Sequence, residues 1–139
     1  MIYFIDTNIF LRVLIRENES AFQQSKAFLE MVKRNVYDAV TSTMVISEIV
    51  WTLGSYYKFP KKKVLRTIQG ILHLSGLKIV DEYDINKSLA LYESHTCKYI
   101  DAMIAGMPGV QSGAWNIVSY DKEFDKLGVK RVVPAKLLK

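Results

Sequence analysis

Four carboxylates stand out in this sequence because each accompanies an apolar segment. Asp6 and Asp121 each follow a run that is typical of a buried strand, while Glu48 and Asp101 lie in segments with helical spacing. A carboxylate at the edge of a core is costly unless it pairs with a cation or binds a metal. Hard divalent ions prefer such oxygen ligands, and a bound ion can activate water and neutralise charge on phosphate. The four acids therefore indicate a divalent-cation site suited to phosphodiester hydrolysis.

Short strands are predicted to position two of these acids. The strand-like segments are residues 2–5, 39–42, 77–80, 116–119 and 130–133. Helical patterns separate them, and strands alternating with helices favour a parallel sheet with helices on both faces. In such sheets, ligands bind at the carboxyl ends of the strands, where the strand order switches. Asp6 and Asp121 are therefore predicted to lie together at that edge.

The helical segments make more specific predictions. A helix over residues 44–57 has an apolar stripe that leaves Glu48 on the solvent side by periodicity alone. In the helix that begins near Pro60, Leu65, Ile68 and Leu72 are predicted to face the core. The helix around Asp101 is expected to end or kink at Pro108, because proline removes a backbone donor and clashes with the preceding turn.

Length and composition set broad limits. The 139 residues suit a single domain over residues 1–139, and no apolar run approaches the ~20 residues that cross a bilayer, so no membrane association is expected. The apolar start is predicted to be a first strand rather than a signal peptide. One cysteine, Cys97, rules out an internal disulfide and fits a cytoplasmic location. The net charge of +5 favours a polyanionic partner.

Taken together, the four acids carry a resemblance to a known family. The chain resembles the PIN-domain nucleases, over essentially its full length, in residues 5–9 (IDTNI), 47–49 (SEI), 100–105 (IDAMIA) and 119–124 (SYDKEF). Within that group it is most similar to the VapC-type ribonuclease toxins of prokaryotic toxin–antitoxin pairs. The resemblance implies a three-layer α/β/α sandwich around a central, mainly parallel sheet of four to five strands.

The resemblance also implies a chemistry. It predicts a metal-dependent endoribonuclease that hydrolyses RNA phosphodiester bonds with water activated by Mg²⁺ or Mn²⁺. The acids implied to bind metal and act in catalysis are Asp6, Glu48, Asp101 and Asp121. Asn8 matches a polar residue that orients the first acid, and Ser119 takes the place of a small hydroxyl residue near the metal or phosphate. The partners implied are a second copy in a homodimer and a VapB-type antitoxin whose basic side chain enters the acidic pocket.

Two arginines near the predicted site are candidates for substrate contact. Arg12 and Arg16 lie one turn apart on the helix after Asp6, where they are predicted to contact RNA phosphate. Asp125, one turn after Asp121, is instead predicted to be a solvated helix residue.

The same acids fit other classes of protein less well. A phosphatase of the haloacid dehalogenase type needs a second acid two residues after Asp6, where this chain has Asn8. A receiver-like domain groups its acids differently, and Glu48 on a helix does not suit it. Each acid alone also fits a helix cap or a solvated turn, and for Asp121 an N-cap role is compatible with metal binding. A catalytically silent PIN domain that binds RNA or a protein is the alternative function.

Overall fold

The computed structural model describes residues 1–138, in which helices connect the strands of one sheet. The strands are β1 (Ile2–Ile5), β2 (Asp38–Thr41), β3 (Leu77–Ile79), β4 (Trp115–Val118) and β5 (Arg131–Val132). The helices are α1 (Thr7–Leu14), α2 (Glu19–Lys33), α3 (Thr43–Trp51), α4 (Lys61–Leu72), α5 (Ile85–Ser94), α6 (Tyr99–Ala105), α7 (Pro108–Gln111) and α8 (Glu123–Lys126). A π-helical turn (Thr52–Tyr56) continues α3.

The sheet has the order β3-β2-β1-β4-β5, and every neighbouring pair is parallel. The five predicted strands are therefore found, each displaced by at most one residue at either end. The chain moves outward from β1 to β3 on one side and from β4 to β5 on the other. The strand order thus switches between β1 and β4, which is where an open parallel sheet binds its ligands.

Right-handed crossovers explain why the helices form two layers. The connections from β1 to β3 run across the sheet in one direction and those after β3 run in the other, so they cover opposite faces. In agreement, α1 packs on α2 and α3, whereas α6 packs on α5, α7 and α8. The predicted α/β/α sandwich is confirmed, and its sheet is entirely parallel in residues 1–138.

The segment after Asp101 interrupts the helix as predicted. Helix α6 ends at Ala105, and Pro108 occupies the first turn of the separate helix α7, where its missing N–H costs nothing. Helix α7 then packs closely against β4. A Cβ atom added at Gly109 would lie 2.4 Å from the ring of Trp115, so only glycine allows this approach. The short helix therefore supports the strand that leads to Asp121.

The prediction for the buried face of α4 is confirmed at Ile68 and wrong at Leu65 and Leu72. Leu65 and Leu72 are 56% and 50% exposed, while the buried face consists of Val64, Ile68 and Ile71. The helix carries apolar residues on more than one side, so its spacing fits two overlapping stripes that share Ile68. Packing against the rest of the molecule selects the stripe that starts at Val64. Among residues 1–138, no helix is long and apolar enough to cross a membrane.

Candidate active site

A polar cleft of about 210 Å³ opens at the carboxyl edge of β1 and β4. Its lining consists of Asp6, Thr7, Asn8, Leu11, Glu48, Thr52, Lys98, Asp101 and Asp121. The structure therefore brings together all four acids that the sequence singled out, from four separate parts of the chain. We call this the acidic cleft.

Asp6 is held rigidly at the end of β1. It is 5% exposed, and its Oδ1 accepts a hydrogen bond from the backbone N–H of Thr7 at 2.8 Å, which caps α1. Its Oδ2 accepts from Ser119 Oγ at 2.7 Å and from Asn8 Nδ2 at 3.0 Å. Both carboxylate oxygens thus have fixed directions, because a buried charge is tolerated only when it is hydrogen-bonded.

Asn8 and Ser119 join the ends of the two central strands. The Asn8 amide donates to Ser119 Oγ at 2.9 Å, and its Oδ1 accepts from the backbone N–H of Tyr120 at 3.1 Å. Ser119 Oγ also accepts from the backbone N–H of Asp121 at 3.0 Å. The two residues therefore fix the loop after β4 relative to Asp6, and so position two acids at once.

Asp101 enters the cleft from the first turn of α6. It is 4% exposed, and its Oδ2 is buried without a hydrogen-bond partner in the described structure. Thr7 Oγ1, on the same cleft wall, is also buried and unpartnered. An unsatisfied buried carboxylate oxygen is costly, and a bound cation is one of the partners that satisfies such a group in native proteins.

Glu48 and Asp121 complete the acidic lining and are both half-buried. Periodicity left Glu48 in solvent, but α3 packs against α1, and this contact places the residue at the cleft. Asp121 Oδ1 accepts from the backbone N–H of Glu123 at 3.0 Å, so Asp121 initiates the turn into α8 while it lines the cleft. The predicted N-cap role is not found, because the N-cap residue of α8 is Lys122, but the Asp121 side chain holds the turn before that helix while it lines the cleft.

Burial and mutual repulsion make the deepest two acids hard to ionise. Burial raises the pKa of Asp6 to about 6, against the opposing hydrogen bonds from Ser119 and Thr7, and the charges of Glu48 and Asp121 add to the rise. Burial also raises the pKa of Asp101 to about 7, and the neighbouring Asp6 charge adds to it. A cluster with these pKa values gains strongly from a bound cation, because the ion replaces the protons.

The residues of the acidic cleft fit a hard divalent cation. Across residues 1–138, no three acidic, histidine or cysteine side chains converge closely enough to form a ready-made cage. Magnesium does not need one, since it keeps several waters and takes one or two carboxylates directly. The unpartnered Asp101 Oδ2 and the carboxylate of Asp6 supply such oxygen ligands. Soft ligands are lacking in the lining, so zinc is disfavoured.

The two candidate arginines have different surroundings. Arg12 is half-buried, with its guanidinium carbon 5.9 Å from the ring centroid of Tyr120. Arg16 is bonded to Glu19 through its Nε at 2.8 Å and Nη2 at 2.6 Å, and it stacks on Phe22. Neither arginine lines the acidic cleft, but Arg12 lines a neighbouring cleft that shares two lining residues with it. Arg12 is therefore the better placed of the two.

Other features became visible only in three dimensions. Lys98 lines the cleft one turn before Asp101, and its charge opposes the rise in the Asp101 pKa. In the sequence it was indistinguishable from a surface lysine; only its spacing of three from an acid could have drawn attention to it. Asp125 is 54% exposed on α8, as predicted, and it also forms a two-point ion pair with Arg131.

The chain is an α/β protein of the open parallel-sheet class, with four acids at the switch point of the sheet, and the family comparison identifies it further. Residues 3–130 match the family model described as PIN domain, so this chain belongs to the PIN domain family. Among curated proteins, it is 24% identical over 130 residues to the "VapC ribonuclease" of Aquifex aeolicus, which covers 94% of this chain and 95% of that protein.

Two solved structures share the fold. The VapBC2 complex of Rickettsia felis, bound to a DNA fragment from its promoter, matches with a TM-score of 0.63 and 20% identity over 96% of this chain and 98% of the other. A toxin–antitoxin complex from Klebsiella pneumoniae matches with a TM-score of 0.62 and 20% identity over 95% and 97% of the two chains. At these identities the similarity establishes a common fold.

Replacing Ser119 with alanine is expected to weaken the site without unfolding the protein. The substitution removes the hydroxyl that donates to Asp6 and accepts from the Asp121 N–H. Loss of an outer hydrogen-bond partner lowers metal affinity or activity by roughly 10–100-fold. Because this bond lowers the Asp6 pKa, the acid limb of the pH–rate profile is expected to move to higher pH. Steady-state rates of phosphodiester cleavage by wild type and Ser119→Ala, measured across pH 5–9, check this shift. A pH–rate profile that is the same for both proteins would contradict the role of Ser119.

Proposed function

We propose that this chain is a metal-dependent endoribonuclease, and that it is the toxin of a toxin–antitoxin pair. The observation that carries the nuclease proposal is the buried Asp101, whose unpartnered oxygen shares a cleft with Asp6 at the switch point of the sheet. Family membership and the ribonuclease similarity support the same activity. The net charge of +5 is suited to an RNA partner.

The proposed roles follow from the contacts within the cleft. Asp6 and Asp101 would hold a Mg²⁺ or Mn²⁺ ion directly, and Glu48 and Asp121 would complete the site, in part through water. When bound, such an ion lowers the pKa of water and neutralises charge that develops on phosphate. Asn8 and Ser119 hold the Asp6 carboxylate in place, and the Ser119 hydrogen bond favours its ionised form against the effect of burial. Lys98 offers a cationic group to the negatively charged substrate at the same place.

The cleavage assay that tests this proposal reads both metal dependence and product chemistry. Purified protein is incubated with single-stranded RNA in Mg²⁺, in Mn²⁺ and in EDTA. We expect cleavage with the metals and none with EDTA, and no 2′,3′-cyclic phosphate on the products, because attack by water leaves the 2′-hydroxyl intact. Protein that binds RNA but is inert with both metals would make the chain a silent binding module. Cyclic phosphate products would exclude attack by water.

The proposed partners have separate support. Both solved structures named above are toxin–antitoxin complexes, and an acidic cleft of this kind attracts an arginine or lysine from an inhibitory segment. For the homodimer, Val50, Trp51 and Leu65 on α3 and α4 expose apolar surface of the kind that self-association buries. A small antitoxin-like gene beside this one would support the antitoxin proposal. Light scattering of the purified chain tests the homodimer proposal, since a dimer has twice the mass of the chain.

A further inference from the structure

A second cleft, of about 280 Å³, adjoins the acidic cleft. Its lining consists of Asn8, Leu11, Arg12, Ile15, Glu17 and Tyr57. Two of these residues, Asn8 and Leu11, also line the acidic cleft, so the two spaces share a wall. The volume is comparable with that of one nucleotide. We call this space the side cleft.

Arg12 presents a guanidinium cation in the side cleft, which also contains the carboxylate of Glu17. Among residues 1–138 it forms no ion pair, whereas Arg16 is held by Glu19. Its guanidinium lies over the ring of Tyr120, whose backbone N–H donates to Asn8 Oδ1. The same Asn8 side chain orients Asp6. Arg12 is thereby fixed relative to the acidic cleft, as a phosphate-binding group next to a cleavage site must be.

Tyr57 places an aromatic side chain in the same space through the π-helical turn after α3. The Tyr57 N–H donates to Thr52 O at 3.1 Å, a bond that spans five residues. It puts Thr52 in the acidic cleft and Tyr57 in the side cleft. Burial, and then the charge of Glu17, raise the pKa of the Tyr57 phenol, so it is neutral at physiological pH. Single π turns of this kind are frequent at functional sites.

We propose that the side cleft binds the nucleotide adjoining the scissile phosphate, an inference that rests on the nuclease function proposed above. Arg12 contacts the phosphate of that nucleotide, and the Tyr57 ring stacks on its base, a contact that any base can make. Glu17 repels phosphate from its own side of the cleft and so sets the orientation, with the phosphate toward Arg12 and the base toward Tyr57. The side cleft thereby favours a polynucleotide over a simple phosphodiester.

The test compares two substrates in the presence of Mn²⁺. One is a short single-stranded RNA, and the other is bis(p-nitrophenyl) phosphate, a phosphodiester without nucleotides that needs the acidic cleft alone. For Arg12→Gln and Tyr57→Leu we expect kcat/KM on RNA to fall about 10-fold or more, with kcat/KM on the small diester within about twofold of wild type. Tyr57→Phe retains the ring and is expected to behave as wild type, as is Arg34→Gln, which removes an exposed arginine after α2.

The outcomes separate this inference from the proposed function. If wild type cleaves both substrates and the variants cleave RNA equally well, the side cleft binds no nucleotide. Equal losses on both substrates also overturn the inference, because they show that Arg12 and Tyr57 only position the acids. If wild type cleaves neither substrate, the nuclease proposal fails, and RNA affinity in EDTA decides the inference. The inference predicts that Arg12→Gln binds RNA about 10-fold more weakly, and that the slope of log affinity against log salt concentration is smaller in magnitude by about 1. Unchanged RNA binding would contradict the inference.

Discussion

Replacing Asp101 with asparagine is expected to abolish RNA cleavage and to make the metal-free protein more stable at pH 8. The carboxylate is buried, with one oxygen unpartnered, in the cleft that would hold the metal. Loss of a ligand that binds the ion directly is expected to lower kcat/KM on the order of 10³-fold. Steady-state cleavage of RNA with saturating Mn²⁺ measures this effect.

The gain in stability arises because the substitution removes a buried negative charge when no metal is bound. Burial and the Asp6 charge raise the Asp101 pKa from 3.8 to about 7, so the folded protein at pH 8 contains a carboxylate that is unfavourably ionised. At 1.36 kcal/mol per pKa unit, this rise corresponds to roughly 4 kcal/mol. Asparagine removes the charge but stays polar and buried, so we expect about 1–2 kcal/mol of added stability by denaturant unfolding in EDTA.

Asp38→Asn is the matched control for this prediction. Asp38 is exposed and is the first residue of β2. It therefore lies at the amino end of the parallel strands, whereas the acidic cleft lies at their carboxyl ends. The same chemical change there is expected to alter neither cleavage nor stability appreciably. An Asp101→Asn protein that cleaves RNA at the wild-type rate, or that is less stable than wild type at pH 8 without metal, would contradict the role assigned to Asp101.

The second large effect is a loss of stability of the metal-free protein as the pH rises. Asp6 and Asp101 have pKa values raised to about 6 and about 7 in the folded state, so there they bind protons more tightly than when unfolded. A raised folded pKa contributes stability that is complete below the unfolded value of about 4 and is lost as pH rises through the folded value. We therefore expect the free energy of unfolding in EDTA to fall between pH 5 and 8.

The range from pH 5 to 8 distinguishes the contribution of the cleft acids to stability from that of acids elsewhere in the chain. Desolvation raises the pKa of Asp81, but hydrogen bonds from Thr43 and Tyr83 outweigh it and lower that pKa, while a hydrogen bond from Arg131 lowers the pKa of Asp125. Their contributions have the opposite sign: they are present above the unfolded pKa and lost as the pH falls below it. Above pH 5 these acids are ionised in both states and contribute no slope. The fall in the free energy of unfolding between pH 5 and 8 therefore comes from Asp6 and Asp101, whose pKa values are raised in the folded state.

A divalent cation is expected to reverse the fall. Because the ion competes with protons for the same carboxylates, Mn²⁺ stabilises the fold more at pH 7.5 than at pH 5. At a hundredfold excess over Kd, we expect Tm at pH 7.5 to rise by roughly 5–10 °C. Calorimetry of wild type, Asp101→Asn and Asp38→Asn gives the comparison. If the stability of metal-free wild type does not change with pH, or if that of Asp101→Asn falls as steeply as that of wild type, the cleft acids are not the source of the pH dependence.

Some of the site could be predicted because its position depends on strand ends. Asp6 and Asp121 directly follow apolar runs, and in a parallel sheet the carboxyl ends of such strands share one edge. The break at Pro108 was also predictable, since it follows from the covalent structure of proline. These predictions needed only local chemistry and the general topology of α/β proteins.

The remaining features depend on how the helices pack. Glu48 faces solvent by periodicity and reaches the cleft only because α1 packs beside α3. Leu65 and Leu72 follow a stripe that periodicity could not distinguish from the buried one at Val64. The π turn that presents Tyr57 has no signal in the sequence pattern. Each of these depends on contacts between distant segments, which single-sequence periodicity does not report.

Direct measurement of Mn²⁺ binding tests most directly whether the four acids form one cation site. Isothermal titration of metal-free protein at pH 7.5 is expected to show saturable binding to wild type and to Asp38→Asn with equal affinity. For Asp101→Asn and Asp6→Asn, the affinity is expected to be at least about 10-fold weaker, because each variant removes a carboxylate from the cleft. Wild type that binds no Mn²⁺, or Asp6 and Asp101 variants that bind it as tightly as wild type, would contradict the account.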